Sequence, residues 1–457
     1  MPDHAETATA ASAAMADGEL SPAELTERML ARIEATEPDL HAYATVTADQ
    51  ARAQAAALTR EPARGIRRGP LYGVPIGIKD LIDTAGVPTA YGSPRFSGHV
   101  PDRDASAVRS LRRAGAVILG KHTTHELAWG GRTDSAFFGP THNPYRRGRV
   151  PGGSSGGSAA SVAAGSCLGA LGSDTAGSVR IPAALSGCVG FKPGRGRIPL
   201  DGVLPLAPSL DHLGVLARTV DDAALLIGAL APAALERTDG PPGEPLRVGW
   251  LGGWYDAVLD PGVCAALASA RALLEDQGVR VEDVIVPDEP LMPEAVLDRI
   301  VREAGTFHRD AFEADPALFG ADIAELMRMP PATAERIGEL EAAAGRVTGA
   351  LRDALLSYDV LIGATVPIPA PRIGAMTVTV GDREWPVELL LTRLTSPCNA
   401  AGLPAISLPA GLADGLPVGL QLIGPEGRDD VVLDAARLVE GLLPPLPRPV
   451  LPEGNPA

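Results

Sequence analysis

The sequence is poor in basic charge and contains no long apolar run. Its 40 Lys and Arg residues face 56 Asp and Glu residues, and the formal net charge is −16. Proteins that bind nucleic acids need a basic surface, so we expect no nucleic-acid partner. No run of about 18 apolar residues is available to span a membrane, and the first six residues do not begin a secretory signal. These absences favour a soluble cytoplasmic protein that acts on a small molecule.

Cysteine is also scarce. The four cysteines (Cys167, Cys188, Cys264 and Cys398) are far apart and include no Cys-x-x-Cys pair. This spacing argues against a zinc ribbon and against a disulfide framework. A reducing cytoplasm fits this cysteine usage best.

Lysine is nearly absent. Only Lys79, Lys121 and Lys192 stand among the 40 basic residues, and the others are arginines. Arginine stays protonated in proteins, whereas a buried lysine can lose its proton and act as a base. Each lysine is therefore a candidate for a task that arginine cannot perform, and Lys79 is the first to consider.

Strand and helix patterns alternate along the chain, which predicts an α/β fold with a largely covered sheet. A Ser-Pro-Ala-Glu sequence predicts a helix over residues 21–35. Residues 71–80 indicate a short strand, and residues 103–121 a helix followed by a buried strand. Residues 247–286 have a β-α-β pattern, and residues 291–355 are mostly helical.

These patterns also divide the chain, within a single large domain, into six consecutive segments. We assign an N-terminal helical segment to 1–60, a core to 61–230, a linker to 231–246, a variable and mostly helical substrate-side region to 247–355, a return to the core sheet to 356–440 and a Pro-rich tail to 441–457.

Residues 151–193 are rich in Gly, Ala and Ser. They contain Gly152-Gly-Ser-Ser-Gly-Gly-Ser158 and Gly172-Ser-Asp-Thr-Ala-Gly-Ser-Val-Arg-Ile-Pro-Ala183. With further blocks at 73–80, 187–193, 209–212, 397–404 and 415–421, the sequence closely resembles the amidase signature family over roughly residues 20–440. The resemblance implies the amidase signature fold, in which helices cover both faces of a large, mixed, twisted sheet.

The same resemblance implies three catalytic residues. Ser178 matches the nucleophile, Ser154 the bridging serine that the family holds in a cis peptide, and Lys79 the base. A serine hydroxyl is a poor nucleophile unless a base removes its proton. Lys79 can do so only if burial lowers its pKa, and Ser154 can pass the proton because a hydroxyl both donates and accepts.

Backbone amides of Thr175, Ala176, Gly177 and Ser178 are expected to form an oxyanion hole. Ala176 stands where many members of the family carry glycine, so we expect ordinary backbone dihedral angles there. The residues expected to support the site are Ser155, Asp174 and Arg180.

The reaction expected from the resemblance is hydrolysis of a small amide through an acyl-enzyme on Ser178, without a cofactor. The partners would be the amide and water, and a homodimer is left open. A carbamate or ester hydrolase on the same scaffold is an alternative. Another is the A subunit of an aspartyl/glutamyl-tRNA amidotransferase. Two features stand against that alternative: Thr392, where an aspartate is expected to hold glutamine, and the Ala-rich residues 335–352, where a basic block is usual.

Three other catalytic patterns are weaker. Gly153-Ser-Ser-Gly-Gly157 matches a nucleophile elbow with Ser155, but no hydrophobic strand precedes it. His122 and His125 lie three residues apart without a third ligand at metal-site spacing, so no metal is expected. No Gly-Lys-Ser/Thr sequence ends the glycine-rich region, which excludes a nucleotide-binding P-loop.

Several apolar residues are candidates to line the substrate pocket. They are Trp129, Gly130, Phe137, Phe138 and Ile368. Because few charged residues occur in 361–371, we expect an uncharged substrate.

Overall fold

The computed structural model describes residues 6–61, 69–235 and 246–451. The strands are β1 Tyr43–Val46, β2 Pro75–Lys79, β3 Val117–His122, β4 Asp134–Ser135, β5 Gly139–Pro140, β6 Gly169–Asp174, β7 Val189–Lys192, β8 His212–Ala217, β9 Arg247–Gly253, β10 Arg280–Val286, β11 Val360–Ala364, β12 Thr377–Val380, β13 Arg383–Pro386, β14 Ala405–Ala413 and β15 Leu416–Ile423.

The helices begin before β1 and end after β15. They are α1 Ala8–Asp17, α2 Pro22–Leu40, α3 Ala48–Thr59, α4 Ser106–Arg113, α5 Gly156–Ala164, α6 Arg180–Ser186, α7 Val220–Leu230, α8 Pro261–Asp276, α9 Met292–Ala314, α10 Ala321–Arg328, α11 Ala334–Ala354, α12 Val387–Arg393, α13 Ser396–Ala401 and α14 Asp429–Leu442. No helix in the described ranges is long and apolar enough to cross a membrane.

Eleven strands form one mixed sheet in the order β1-β3-β2-β6-β8-β7-β14-β15-β11-β9-β10. β2 is parallel to both β3 and β6, and β9 is parallel to β10 and β11. The other pairings in this sheet are antiparallel. Helices flank the sheet, and the prediction of a single α/β domain with a large mixed sheet is confirmed.

Local sequence explains where α2 begins. Ser21 accepts a hydrogen bond from the backbone of Glu24, whose carboxylate accepts one from the Ser21 backbone. This capping box satisfies two N–H groups that a helix start leaves unpaired. The helix predicted over residues 21–35 therefore starts as expected, although it continues to Leu40.

One strand lies where the sequence pattern indicated only helices. β1, within residues 1–60, pairs with β3 and forms one edge of the large sheet. Most of the segment assigned as a linker, 236–245, lies outside the described residues, as do 452–457 of the Pro-rich tail. After Leu442, the described part of the tail, to residue 451, has no regular secondary structure.

Neighbouring parallel strands bring the Gly/Ser-rich segments together. β2 ends at Lys79 and β6 at Asp174, so both strands end at the same edge of the sheet. α5 begins just after Ser154, and α6 begins just after Ser178. Every residue of α5, β6 and α6 is buried, because small side chains allow their backbones to approach closely.

Candidate active site

Lys79 lies fully buried at the end of β2. Its Nζ donates hydrogen bonds to Ser154 Oγ at 2.7 Å and to Ser173 Oγ at 2.8 Å. Burial lowers the pKa of Lys79 to about 7, although the Asp174 and Asp211 carboxylates act in the opposite direction. Near neutral pH a substantial fraction of this amine is therefore uncharged.

The segment around Ser154 joins the lysine to the segment that carries Ser178. The peptide bond between Gly153 and Ser154 is cis, as the resemblance implied. The next residue, Ser155, donates its backbone N–H to the backbone oxygen of Ser178 at 3.1 Å. Lys79, Ser154 and Ser178 thus lie in adjoining segments of one buried region.

Ser178 lies on the wall of a cavity of about 530 Å³. The residue is 8% exposed, and its hydroxyl has no hydrogen-bond partner within the described ranges. By contrast, Ser155 is fully buried, and its hydroxyl donates to the backbone oxygen of Ser173 at 3.1 Å. The geometry therefore presents Ser178, rather than Ser155, to a bound molecule.

The loop before Ser178 differs in one respect from the expected oxyanion hole. The backbone N–H of Gly177 donates to Asp174 Oδ1 at 2.9 Å, so it is not available to a substrate. For the backbone amides of Thr175, Ala176 and Ser178, the structure shows no acceptor among the residues it describes. Three of the four expected donors remain available.

The backbone of this loop explains the glycine and the alanine. Gly177 has φ 129°, a region that L side chains rarely adopt, and a Cβ there would clash with the Thr395 side chain. Ala176 is not among the residues with positive φ, in agreement with the ordinary dihedral angles expected for it.

Asp174 and Arg180 form a buried ion pair that supports the loop around Ser178. Arg180 donates to both carboxylate oxygens of Asp174, at 2.9 and 3.1 Å. Burial alone would raise the pKa of Asp174, but the Arg180 guanidinium holds it well below its usual range. Asp174 also accepts the N–H groups of Gly177 and Val179, which fixes the backbone on both sides of Ser178.

Sequence reasoning missed three residues of this network. Ser173 accepts one of the two hydrogen bonds from Lys79. Asn399 bridges the ion pair, donating to Asp174 Oδ1 at 2.8 Å and accepting from Arg180 at 2.6 Å. Gln421 also accepts from Arg180. All three lie in blocks that carry the family resemblance, and that position was the available signal.

Two of the five expected pocket residues line the Ser178 cavity, namely Trp129 and Gly130. Phe137 and Phe138 do not line it and are exposed, and Phe138 lines a separate cavity of about 620 Å³. Ile368 does not line it either, because it is buried in a hydrophobic cluster. An apolar residue type alone does not distinguish a pocket wall from the core or from an exposed loop.

The cavity wall is mostly apolar but carries charge. The apolar members include Trp129, Leu206, Val296, Leu297, Ile300, Leu326, Met329 and Leu389, and the charged members are Arg132, Asp322, Glu325 and Glu388. No residue of 361–371 lines the cavity. The expectation of an uncharged substrate relied on that segment and is therefore not supported by the structure.

The remaining candidates each contact a neighbouring polar or charged side chain. His122 Nδ1 lies 3.2 Å from Ser158 Oγ, and His125 Nε2 lies 3.0 Å from Asp322. Within the described ranges, no group of three His, Cys, Asp or Glu residues is arranged to hold a metal ion. Lys121 pairs with Asp80 at 3.5 Å.

Comparisons with known proteins agree with this geometry. The model of a family described as Amidase matches residues 24–433. The chain is 39% identical to the A subunit of the glutamyl-tRNA(Gln) amidotransferase of Anaeromyxobacter sp. (strain K), over 97% of each chain. Among solved structures, an amidase matches with a TM-score of 0.89 and 34% identity, over 96% of this chain and 100% of that one. The peptide amidase of Stenotrophomonas maltophilia matches with a TM-score of 0.82 and 30% identity, over 98% and 99%.

Proposed function

Because this chain belongs to the amidase signature family, we propose that it hydrolyses the C–N bond of a small amide through an acyl-enzyme on Ser178. One observation carries the proposal. The buried Lys79 amine contacts the Ser154 hydroxyl beside a serine that faces a cavity and has no hydrogen-bond partner within the described ranges. This arrangement offers a base, a proton relay and a nucleophile in adjoining segments.

Proton transfer begins at Lys79. A neutral amine keeps two N–H donors and has one lone pair, so it can donate to Ser173 and accept the proton of Ser154. Ser154 then takes the proton of Ser178 as the Ser178 oxygen attacks the amide carbonyl. The amides of Thr175, Ala176 and Ser178 would donate to the oxyanion that forms.

The relay then runs in reverse. The protonated Lys79 returns a proton through Ser154 to the departing amine, which leaves an ester on Ser178. Water attacks this ester, the relay accepts one of its protons, and Ser178 recovers its hydroxyl proton as the acid departs. An ester or a carbamate could enter the same sequence, because each presents a carbonyl to Ser178.

Covalent labelling tests the nucleophile. A fluorophosphonate probe should label the wild-type chain at Ser178, and the Ser178→Ala variant should lose labelling and hydrolysis of a neutral amide. Ser155→Ala is the matched control, because Ser155 is fully buried and does not line the cavity. The Ser155→Ala variant should still be labelled at Ser178. A probe found on Ser155 of the wild-type chain by mass spectrometry would overturn the assignment.

A second candidate function is that of the A subunit of an amidotransferase, and the 39% identity to such a chain of a glutamyl-tRNA(Gln) amidotransferase favours it. Against it, Thr392 lines the cavity where an aspartate was expected to hold glutamine. The two functions differ in solution. The purified chain should hydrolyse a neutral amide by itself, whereas glutaminase activity that appears only with added partner subunits would favour the second function.

A further inference from the structure

The charged side chains on the wall of the Ser178 cavity carry an excess of negative charge. Arg132, Asp322, Glu325 and Glu388 line this cavity, whose other lining residues are mostly apolar. Two further groups lie behind the wall. His125 contacts Asp322 at 3.0 Å, and Asp134 lies 3.3 Å from Arg132. Four carboxylates thus face at most two positive charges.

Arg132 is not free to bind an anionic substrate. Its Nε donates to Glu388 at 2.7 Å, its Nη1 lies 3.3 Å from Asp134, and its Nη2 lies 3.5 Å from Asp322. Carboxylates therefore surround all three guanidinium nitrogens. A substrate carboxylate would have to displace one of them, inside a wall that is already negative.

The carboxylates keep capacity for another cation. The side chains of Asp322 and Glu388 remain 35% and 37% exposed despite their contacts with Arg132. Burial alone would raise the pKa of Asp322, but the hydrogen bond from His125 holds it at about 2, so Asp322 is ionised at neutral pH. Glu325 is exposed and lines the cavity, and it makes no hydrogen bond or ion pair within the described ranges.

This wall lies close to the proposed reaction centre. A Cβ built on Gly153, the residue before Ser154, would lie 2.8 Å from the backbone nitrogen of Arg132. Ser178, a residue that is only 8% exposed, lines the same cavity, and its hydroxyl has no hydrogen-bond partner within the described ranges. A buried hydroxyl without a partner is an independent reason to expect a polar ligand in this cavity.

We propose that the substrate is an amide with an apolar body and an ammonium group, and that Asp322, Glu325 and Glu388 bind the ammonium group. The apolar wall takes the body, since burial of apolar surface is favourable. An ammonium group is attracted to several carboxylates in a partly desolvated cavity, whereas a carboxylate is repelled. The inference rests on the proposed amide hydrolysis, because it assigns a substrate class to the same site.

Three phenylacetamides that differ only at the para position provide the test: 4-aminomethyl, 4-ethyl and 4-carboxy. Isothermal titration calorimetry with the Ser178→Ala variant measures binding without turnover. We expect the ammonium compound to bind at least tenfold more tightly than the ethyl compound, and the carboxylate to bind most weakly. Added salt should reduce this preference, because it screens the charges.

Hydrolysis by the wild-type chain can be measured as the release of ammonia. We expect kcat/KM for the three compounds to follow the same order as their binding. Glu325→Gln should lower the ratio between the ammonium and ethyl substrates about two- to fivefold, the range expected for one exposed ion pair. Glu313→Gln is the matched control, because Glu313 is exposed and does not line the cavity. It should leave the ratio unchanged.

The outcomes separate the two proposals. Equal binding of the three compounds, or tighter binding of the carboxylate, would overturn the ammonium site, and hydrolysis of the ethyl compound would still support amide hydrolysis. Preferential binding of the ammonium compound without hydrolysis of any amide would support the ammonium site and contradict the proposed function.

Discussion

At the residue scale, the three lysines differ in the groups that their amines contact. Lys79 contacts two serine hydroxyls. Lys121 lies near a carboxylate and donates to Thr89 and to the backbone oxygen of Ile82, and Lys192 donates to two backbone carbonyl oxygens. A carboxylate or a carbonyl favours the protonated amine, whereas a hydroxyl can also give up its proton. Of the three lysines, Lys79 is therefore the one that we propose as the base.

The charge state of Lys79 leads to a test with arginine. If Lys79 is the base, kcat/KM should rise with pH through an ionisation near 7, where the amine becomes neutral. Lys79→Arg should reduce kcat/KM about as severely as Lys79→Met, because a guanidinium cannot give up its proton. Steady-state kinetics from pH 5.5 to 9 would measure both effects.

Lys121→Arg is the control for that test. Lys121 pairs with Asp80, so a retained positive charge should preserve most activity in the fraction that folds. Near-normal turnover of Lys79→Arg would remove lysine from the mechanism.

The role of a single residue could be predicted where its residue type is rare in the chain. It could not be predicted where the role depends on the position of the residue in the fold. Lys79 could be singled out because lysine is so scarce in this chain. Ser173 lies in a block that carries the family resemblance, but its role depends on the pairing of β2 with β6, which brings its hydroxyl to Lys79. The residue type of Phe137 or Ile368 fits a pocket equally well, but the fold places one on the surface and the other in the core.

At the scale of elements, the loop between β6 and α6 is supported by segments from the far end of the chain. Asn399 of α13 and Gln421 of β15 both accept hydrogen bonds from Arg180 at the start of α6. Thr395 donates to the backbone oxygen of Ala176 at 2.6 Å. The loop geometry beside Ser178 therefore depends on how α13 and β15 pack.

Removing the amide of Asn399 tests this dependence. Asn399→Ala removes one hydrogen-bond acceptor from Arg180 Nη2, and one donor each from the carboxylate and the backbone oxygen of Asp174, so the free energy of unfolding should fall by about 1–3 kcal/mol. We also expect kcat to fall at least tenfold with little change in KM, because the loop amides would shift relative to the reacting carbonyl. Urea denaturation and steady-state kinetics would measure the two effects.

Asn143→Ala is a matched control for the loss of a buried amide. Asn143 donates to the backbone oxygens of Val150 and Leu185 and makes no hydrogen bond with Asp174. Asn143→Ala should lower the free energy of unfolding by a similar amount, but it should lower kcat much less than Asn399→Ala does. Equal losses of kcat in the two variants would contradict a specific effect of Asn399 on the loop.

Helices and strands with long periodic sequence patterns were easier to predict than those with short patterns. The capped helix that begins at Pro22 and the β-α-β unit of β9, α8 and β10 have long periodic signals, and both are present. β1 has only four residues and alternates incompletely between buried and exposed positions, so its pattern is lost between two helices. Its pairing with β3 is a tertiary contact that local sequence does not encode.

At the scale of the whole molecule, the buried lysines couple stability to pH. Burial lowers the pKa of Lys79 and Lys192 to about 7 and that of Lys121 to about 8. An unfolded lysine ionises near ~10.4, so above pH 7 the unfolded chain binds more protons than the folded one. Burial also raises the pKa of Glu37 and Glu440 to about 7, and this opposes the effect of the lysines near pH 7. The free energy of unfolding should therefore increase with pH mainly between about 7.5 and 8.5, by up to ~1.4 kcal/mol per pH unit for each lysine.

Urea denaturation at several pH values would measure this slope. In Lys192→Met the slope should be shallower, whatever the absolute stability of the variant, because one of the three contributing groups is absent. A slope near zero in the wild-type chain would contradict the lowered pKa values.

The topology also fixes when this site can form during synthesis. Lys79, Ser154 and Ser178 all emerge from the ribosome before Asn399 and Gln421, and β7 lies beside β14 in the completed sheet. Until β14 and β15 have been made, the middle of the sheet lacks two strands and Arg180 lacks two of its acceptors. A nascent chain that already contains every proposed catalytic residue is therefore still without a working site. It must avoid aggregation until β15, the last strand of the sheet, has been translated.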